Sequence, residues 1–426
     1  MKLINYNKNT NLIKLLKRNE EEQDDIRNAV LEIIKGVKKD GNSALLYYTK
    51  ALDKCELTHL QVTEEEIQEA YDAVPESLLD IMREAAINIR SFHEKQLEKT
   101  WTYAPLPGVI LGQHITPIER VGLYVPGGKA NYPSTVLMDA IPALVAGVQS
   151  LVMVTPPGRD GKINPTILAA AKIAGVHEIY KLGGAQAIAA LAYGSETIKP
   201  VNKIVGPGNI YVATAKKEVF GKVDIDMIAG PSEVLIIADE NANPVYAAAD
   251  LLSQAEHDEL AMPILVTTSQ VLGEQVIEEV YRQIEEDLNR KLIAKKSVDD
   301  FGFVFIVKNL DEAFSLSNEI APEHLELLIE NPMNSLEKVK NAGAIFMGPY
   351  TPEPLGDYFA GPNHTLPTSG TAKFSSPLGV YDYMKKSSIL SYSQDALENV
   401  YEKIATFARS EGLDAHAKAV ERRFEK

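Results

Sequence analysis

The chain has 426 residues, 45% of them apolar and 24% charged, with 43 basic against 59 acidic side chains and a formal net charge of −16. A chain this long can bury several cores, and its single cysteine, Cys55, excludes an intramolecular bridge and any thiolate zinc cluster. The acidic balance, with no basic block, argues against nucleic acid as the main partner.

The first 22 residues are expected to form a small N-terminal helical segment, too polar to hold the apolar core of a signal peptide. Residues 24–38 place Ile26, Ala29, Val30, Ile33, Ile34 and Val37 at helical spacing. Thr63 followed by Glu66 is a capping-box pattern opening a second helix, and a third is expected over 76–99. The most apolar window, 136–154, is interrupted by Asp139, Pro142, Gln149 and Ser150, so it reads as a helix and a buried strand and not as a membrane span.

From residue 119 the pattern changes to short β-branched runs, each followed by a glycine turn and an Ala-rich helical stretch. Runs 121–125, 151–155, 178–182 and 203–205 lead through Pro126-Gly127-Gly128, Pro156-Pro157-Gly158, Gly183-Gly184 and Gly206-Pro207-Gly208 into helices. Such repetition implies a parallel sheet with helical crossovers. A second α/β series is expected over 234–347, then a Gly/Pro/Ser/Thr-rich loop over 348–381, and a helical tail over 394–424.

None of the glycine turns matches a familiar nucleotide motif. Gly206-Pro207-Gly208-Asn209-Ile210-Tyr211 lacks the third glycine of the dinucleotide fingerprint, and Gly127-Gly128-Lys129 is followed by Ala130 where a P-loop needs Ser or Thr. Several such turns at one edge of a parallel sheet nevertheless mark a ligand edge. Among the eight histidines, His257, His324, His364 and His416 each sit beside a carboxylate or amide on a helix end or loop. Histidine, aspartate and an amide oxygen together make a donor set suited to zinc or a similar divalent ion. Glu323-His324 places two proton carriers on neighbouring residues.

In order and spacing, GLYVPGG (122–128), GGAQA (183–187), VGPGN (205–209), AGPSE (229–233), SQAEHD (253–258), APEHLE (321–326), GDYFAGPNHTLPT (356–368) and EGLDAHAKAV (411–420) resemble the motifs of the histidinol dehydrogenase family. The likeness runs from about residue 25 to residue 423. It implies an α/β fold of two incomplete Rossmann-like parallel-sheet domains without GxGxxG, with small terminal helical segments, in an intertwined homodimer. The expected division is 1–22, a larger discontinuous α/β domain of 23–120 and 233–376, an NAD-binding domain of 121–232, and a C-terminal helical tail of 377–426 that completes the neighbouring subunit's site.

The activity implied is a cytoplasmic, zinc-dependent, four-electron oxidation of L-histidinol to L-histidine with two NAD through an aldehyde-level intermediate, the last step of histidine biosynthesis. Carried over by motif, Gln254, His257, Asp357 and His416 would hold one zinc per subunit, and Glu323 and His324 would be the catalytic acid/base pair. Tyr124, Gln186 and Asn209 would line the NAD site. Ser232, His364 and Glu411 would contact substrate, together with Gln254, His257, His324, Asp357 and His416; no nucleic acid or membrane partner is implied.

The residue types suit that chemistry. Oxidising an alcohol needs a base for the hydroxyl proton, which a neutral imidazole supplies near its ordinary pKa of about 6.5. Oxidising the aldehyde needs water, which Glu323 could activate. Cys55 lies outside every motif and reads as structural, the alternative being a thiohemiacetal route. Two other readings keep part of the picture: a related dehydrogenase acting on another amino alcohol or a hydroxylated sulfonate, and a ligand-binding module without catalysis, which would leave His324 without a task.

Overall fold

The computed structural model describes residues 1–7, 10–16, 23–127 and 131–425 of the protein. The chain divides into two compact units, residues 1–96 with 119–383 and residues 97–118 with 384–426. In chain order the strands are β1 (Lys2–Asn5), then β2 (Trp101–Tyr103) and β3 (Val109–Pro117). The run β4 (Arg120–Tyr124), β5 (Ser150–Thr155), β6 (Glu178–Lys181), β7 (Lys203–Val205) and β8 (Asp224–Ile225) follows. The next run is β9 (Glu233–Ala238), β10 (Met262–Thr267), β11 (Phe303–Ile306), β12 (His324–Leu328) and β13 (Ala344–Met347), with β14 (Met384–Tyr392) last.

The first unit contains two parallel sheets. One has the order β6-β5-β4-β7-β8 and the other β1-β11-β10-β9-β12-β13. Parallel strands carry helices on both faces, and the composition follows: every residue of β9 and β10 is buried, in near-continuous runs of Val, Ile and Leu. The crossover helices start where polar caps satisfy their first N–H groups, at Asn164, Asn209, Asn243, Ser269 and Asn309. Gly147 and Gly175 end theirs in the left-handed conformation that a side chain would resist. Thr63 and Glu66 form the capping box that their spacing predicts. The window 136–154 resolves into helix Pro133–Ala146 and β5, and no helix among the described residues is long and apolar enough to cross a membrane.

Several segments differ from expectation. The opening residues are not helical throughout: Lys2–Asn5 is an edge strand paired in parallel with β11, and helix Leu12–Leu16 comes only after it. Leu3 and Ile4 pack against two different apolar clusters, as alternating side chains of a strand do, and the strand satisfies the open hydrogen-bonding edge of β11. Residues 8–9, 17–22 and the Gly128-Lys129-Ala130 turn lie outside the described residues.

Helix Gln23–Tyr48 runs longer than its predicted 24–38, kinks at Gly41 and passes into a π-helical turn, Thr49–Asp53. Its Val30, Ile34 and Val37 pack with Ile188, Leu191 and Val212, so it clothes the five-stranded sheet, whereas the expected division gave residues 23–120 to the other body. Residues 97–118 and 384–392 are neither helical nor part of that body. They pair as β14-β3-β2, an antiparallel sheet forming the second unit with helices Gln394–Glu398, Tyr401–Ser410 and Asp414–Glu421. The tail therefore starts as a nine-residue strand. Alternation over a single strand is a weak signal when the partner lies about 270 residues away, which is why this pairing is not visible locally.

Candidate functional site

Four segments of the chain converge at the amino ends of β9 and β12. His324 opens β12 and is paired with Val234 of β9 on one side and Ala344 of β13 on the other. Glu323 precedes it, Ser232 and Glu233 stand at the start of β9, and Gln254 ends helix Pro244–Ala255. Helix Glu353–Tyr358 carries Asp357, and the loop after it carries His364.

The contacts are specific. His324 Nδ1 lies 3.0 Å from the Glu233 carbonyl oxygen and 2.9 Å from the Gln254 amide nitrogen. A carbonyl can only accept, so the Glu233 carbonyl holds a proton on Nδ1, and the Gln254 amide nitrogen, itself only a donor, gains no hydrogen bond from that nitrogen. Among the described residues His324 Nε2 is buried without a hydrogen-bond partner, 3.8 Å from Asp357 Oδ1. The main-chain N–H of Glu233 donates to Glu323 Oε2 at 2.9 Å, and that oxygen is 3.7 Å from His324 Nδ1. His364 Nδ1 donates to the Asp357 carbonyl at 3.0 Å, and its Nε2 is 3.3 Å from the Thr135 hydroxyl.

Burial sets the protonation of these groups. It pushes the Glu323 carboxyl up to about 7, against the opposing pull of His324 and the Glu233 N–H. Burial disfavours a charged His324 ring, yet Glu323, Asp357 and Glu353 outweigh it and raise the imidazole to about 10. Burial also keeps His257 and His364 below the usual imidazole range. Asp357 is held well below the carboxylate range despite its burial, by His324 and His364. Glu353, buried beside Asp357, is pushed up to about 8.

His324, Glu353 and Asp357 each present a ligand atom within 4.8 Å of the others. Glu353 is the residue that motif reading misses; it stands four positions before Asp357 on the same helix face, an i,i+4 carboxylate pair visible in PEPLGD. Ser253 donates to its carboxylate, and its own N–H donates to Glu326 at 2.8 Å. Gln254 is fully buried with Oε1 left unpartnered among the described residues, which fits an oxygen that awaits a cation. His257 feels the charges of Asp357, His324 and His364 from the turn after Gln254.

The carboxyl edge of the five-stranded sheet holds the residues expected to line the NAD site. Tyr124 ends β4, and its hydroxyl accepts from the Gly184 N–H at 3.1 Å. Gln186 is fully buried one turn into the next helix, and Asn209 caps helix Ile210–Val219 by accepting from the Tyr211 and Val212 N–H groups. Gly206 has φ +110°, and a Cβ there would meet the Tyr124 carbonyl oxygen at 2.2 Å, so only glycine fits. Its N–H donates to Asp226 at 2.8 Å and its carbonyl accepts from Lys216 at 2.9 Å, while Lys216 and Asp226 form a buried ion pair. Cys55 is buried beside Gly161, its thiol pushed up by burial and by Asp53 and Asp160. Glu411 and His416 lie in the second unit, exposed, at and just after the turn between its last two helices.

Residues 16–424 match the family model described as histidinol dehydrogenase. The chain is 56% identical to the histidinol dehydrogenase of Bacillus licheniformis, covering 99% of this chain and 98% of that one. The chain belongs to the histidinol dehydrogenase family. The Bacillus subtilis histidinol dehydrogenase is 56% identical over 93% of each chain. A crystal structure of histidinol dehydrogenase from Elizabethkingia anophelis superposes with a TM-score of 0.95 at 40% identity, covering 100% of this chain and 98% of that one. Histidinol dehydrogenase kinship thus spans both units of the chain.

Proposed function

We propose that the protein is a histidinol dehydrogenase, oxidising L-histidinol to L-histidine with two NAD and one zinc per chain, in the last step of histidine biosynthesis. Beyond the family match, the observation that carries this reading is the buried Glu323-His324 pair, with the imidazole Nε2 3.8 Å from Asp357 and a Gln254 oxygen close by that has no partner among the described residues.

The donor set fits zinc: an unpartnered amide oxygen, a histidine kept neutral by burial and an aspartate kept ionised. Gln254, His257 and Asp357 would hold the ion, with His416 supplied by a second copy of the chain. Burial beside Asp357 raises the Glu353 carboxyl, so of the two acids the ionised Asp357 is the stronger candidate ligand. Held by these residues, zinc would supply orientation of the substrate and polarisation of its polar groups, and no redox chemistry of its own.

At neutral pH the facing acids hold a second proton on the His324 ring, so in the first oxidation His324 must give up that proton before Nε2 can take the hydroxyl proton while the carbinol hydrogen leaves as hydride for NAD. In the second, Glu323, tuned close to neutrality by burial, takes a proton from the water that adds to the aldehyde. The Glu233 main chain holds both residues, its N–H on Glu323 and its carbonyl on His324, so acid and base keep a fixed separation. Ser232, His364 and Glu411 contact the substrate, and Tyr124, Gln186 and Asn209 bind NAD. The raised Cys55 thiol supports a route through water and not through a thiohemiacetal.

The homodimer is part of the proposal. The exposed side chains Trp101, Tyr103, Ile110, Leu390 and Tyr392 on the antiparallel sheet of the second unit support an interface there. The lone unbridged cysteine supports a cytoplasmic location. The test is an NADH assay with L-histidinol: two NADH formed per histidinol consumed is expected, and one NADH with free aldehyde released would overturn the four-electron assignment.

A further inference from the structure

The sheet order β6-β5-β4-β7-β8 reverses direction between β4 and β7, the arrangement of a mononucleotide-binding half in which β4 is the first strand, β5 the second and β6 the third. In that arrangement an acidic residue beyond the carboxyl end of the second strand accepts from a ribose hydroxyl and so distinguishes an unphosphorylated from a 2′-phosphorylated dinucleotide. Here β5 ends in Thr155-Pro156-Pro157-Gly158, which holds no acid. The next one, Asp160, is engaged within its own turn, accepting from the Lys162 N–H at 3.1 Å.

A carboxylate reaches this edge from a different element. Asp53 ends the π-helical turn Thr49–Asp53, and the chain then turns through Lys54 at φ +57°. Both features are sparsely populated and gather where a side chain must be aimed. Two residues later Cys55 packs on Gly161, fixing this segment against the loop that follows β5. On its other side Asp53 Oδ2 accepts from Gln186 Nε2 at 3.4 Å, and Tyr124 senses its charge. Gln186 is fully buried, and its Oε1 is unpartnered among the described residues. Asp53 itself is half-buried and, among the described residues, pairs with no cation. Its burial alone raises the carboxyl to about 6. A partly desolvated carboxylate with one long hydrogen bond has spare acceptor capacity that a ligand hydroxyl would satisfy.

We propose that Asp53 sets the dinucleotide specificity: its carboxylate accepts from the 2′-hydroxyl of the adenosine ribose and repels a 2′-phosphate at that position. The proposal rests on the reading of Tyr124 and Gln186 as NAD-binding residues. It assigns to the N-terminal helical region, which carries no motif, a role in choosing the cofactor.

The experiment measures kcat/KM for NAD and for NADP, at saturating L-histidinol, in the wild-type enzyme and in Asp53→Asn, Asp53→Ser and Asp53→Glu. For Asn and Ser the NADP-to-NAD ratio should rise by about tenfold or more, the size of one hydrogen bond to a charged group, while Glu keeps the wild-type preference. A ratio that stays within twofold in Asn and Ser overturns the proposal even if both activities fall, because a packing defect would lower both cofactors alike. Failure of the parent reading looks different: Tyr124→Phe and Gln186→Ala would then leave KM for NAD at its wild-type value.

Discussion

The two parallel sheets of the first unit make opposite use of their ends. The five-stranded sheet presents its candidate residues at the carboxyl ends of β4, β6 and β7, through glycine turns, a helix cap and main-chain groups held in place by Lys216 and Asp226. The six-stranded sheet gathers its candidates at the amino ends of β9 and β12, through buried ionisable side chains whose protonation is set by burial. A dinucleotide is recognised largely by backbone shape and dipoles, which any sheet edge with glycine turns can offer. Proton transfer needs particular side chains with shifted pKa values, and those require a dry, crowded pocket.

Metal removal tests the amino-end site most severely. The purified protein should contain about one zinc per chain, and chelation should remove metal and activity together, with both returning on zinc addition. Full turnover in metal-free protein would break the assignment of Gln254, His257 and Asp357. Next in size, His324→Ala should lower kcat by about two to four powers of ten with histidinol binding retained; near-normal kcat removes it as the base.

At the carboxyl edge the effect should fall on the cofactor. Lys216→Met leaves Asp226 buried without its partner and should cost about 3–5 kcal/mol of stability. The milder Lys216→Arg should keep the fold and raise KM for NAD more than KM for histidinol. The reverse pattern would mean that the Gly206 turn does not serve the cofactor. The smallest effect is expected for Cys55→Ala, which should keep full turnover and lose about 1 kcal/mol from the vacated volume, read by thermal unfolding. A folded but inactive variant would restore the thiohemiacetal route and place chemistry at the edge assigned here to binding.

Much of the first unit is legible in residues alone. Alternating β-branched runs and glycine turns from 121 to 220 give four strand-turn-helix units, and the structure holds β4 to β7 with their helices at those places. Thr63 is a cap that local spacing announces. The edge strand Lys2–Asn5 and the pairing of β3 with β14 are not legible, since a strand's partner is decided by which sheet edge remains open. In the candidate site, motif likeness names Glu323, His324, Gln254 and Asp357 but passes over Glu353 and Asp53. Both are acids in otherwise ordinary surroundings, and only burial beside Asp357 or contact with Gln186 sets them apart.

Sequence by itself determined the α/β class, the glycine turns and the ordered set of family motifs, because these depend on neighbouring residues and on order along the chain. Tertiary structure alone decided that Glu233 holds Glu323 and His324 together across about 90 residues of intervening chain, and that Asp53 reaches the edge of a sheet to which it does not belong. The proton affinities of Glu323 and His324 were likewise decided there, for burial and the facing charges that shift them exist only once distant strands have paired.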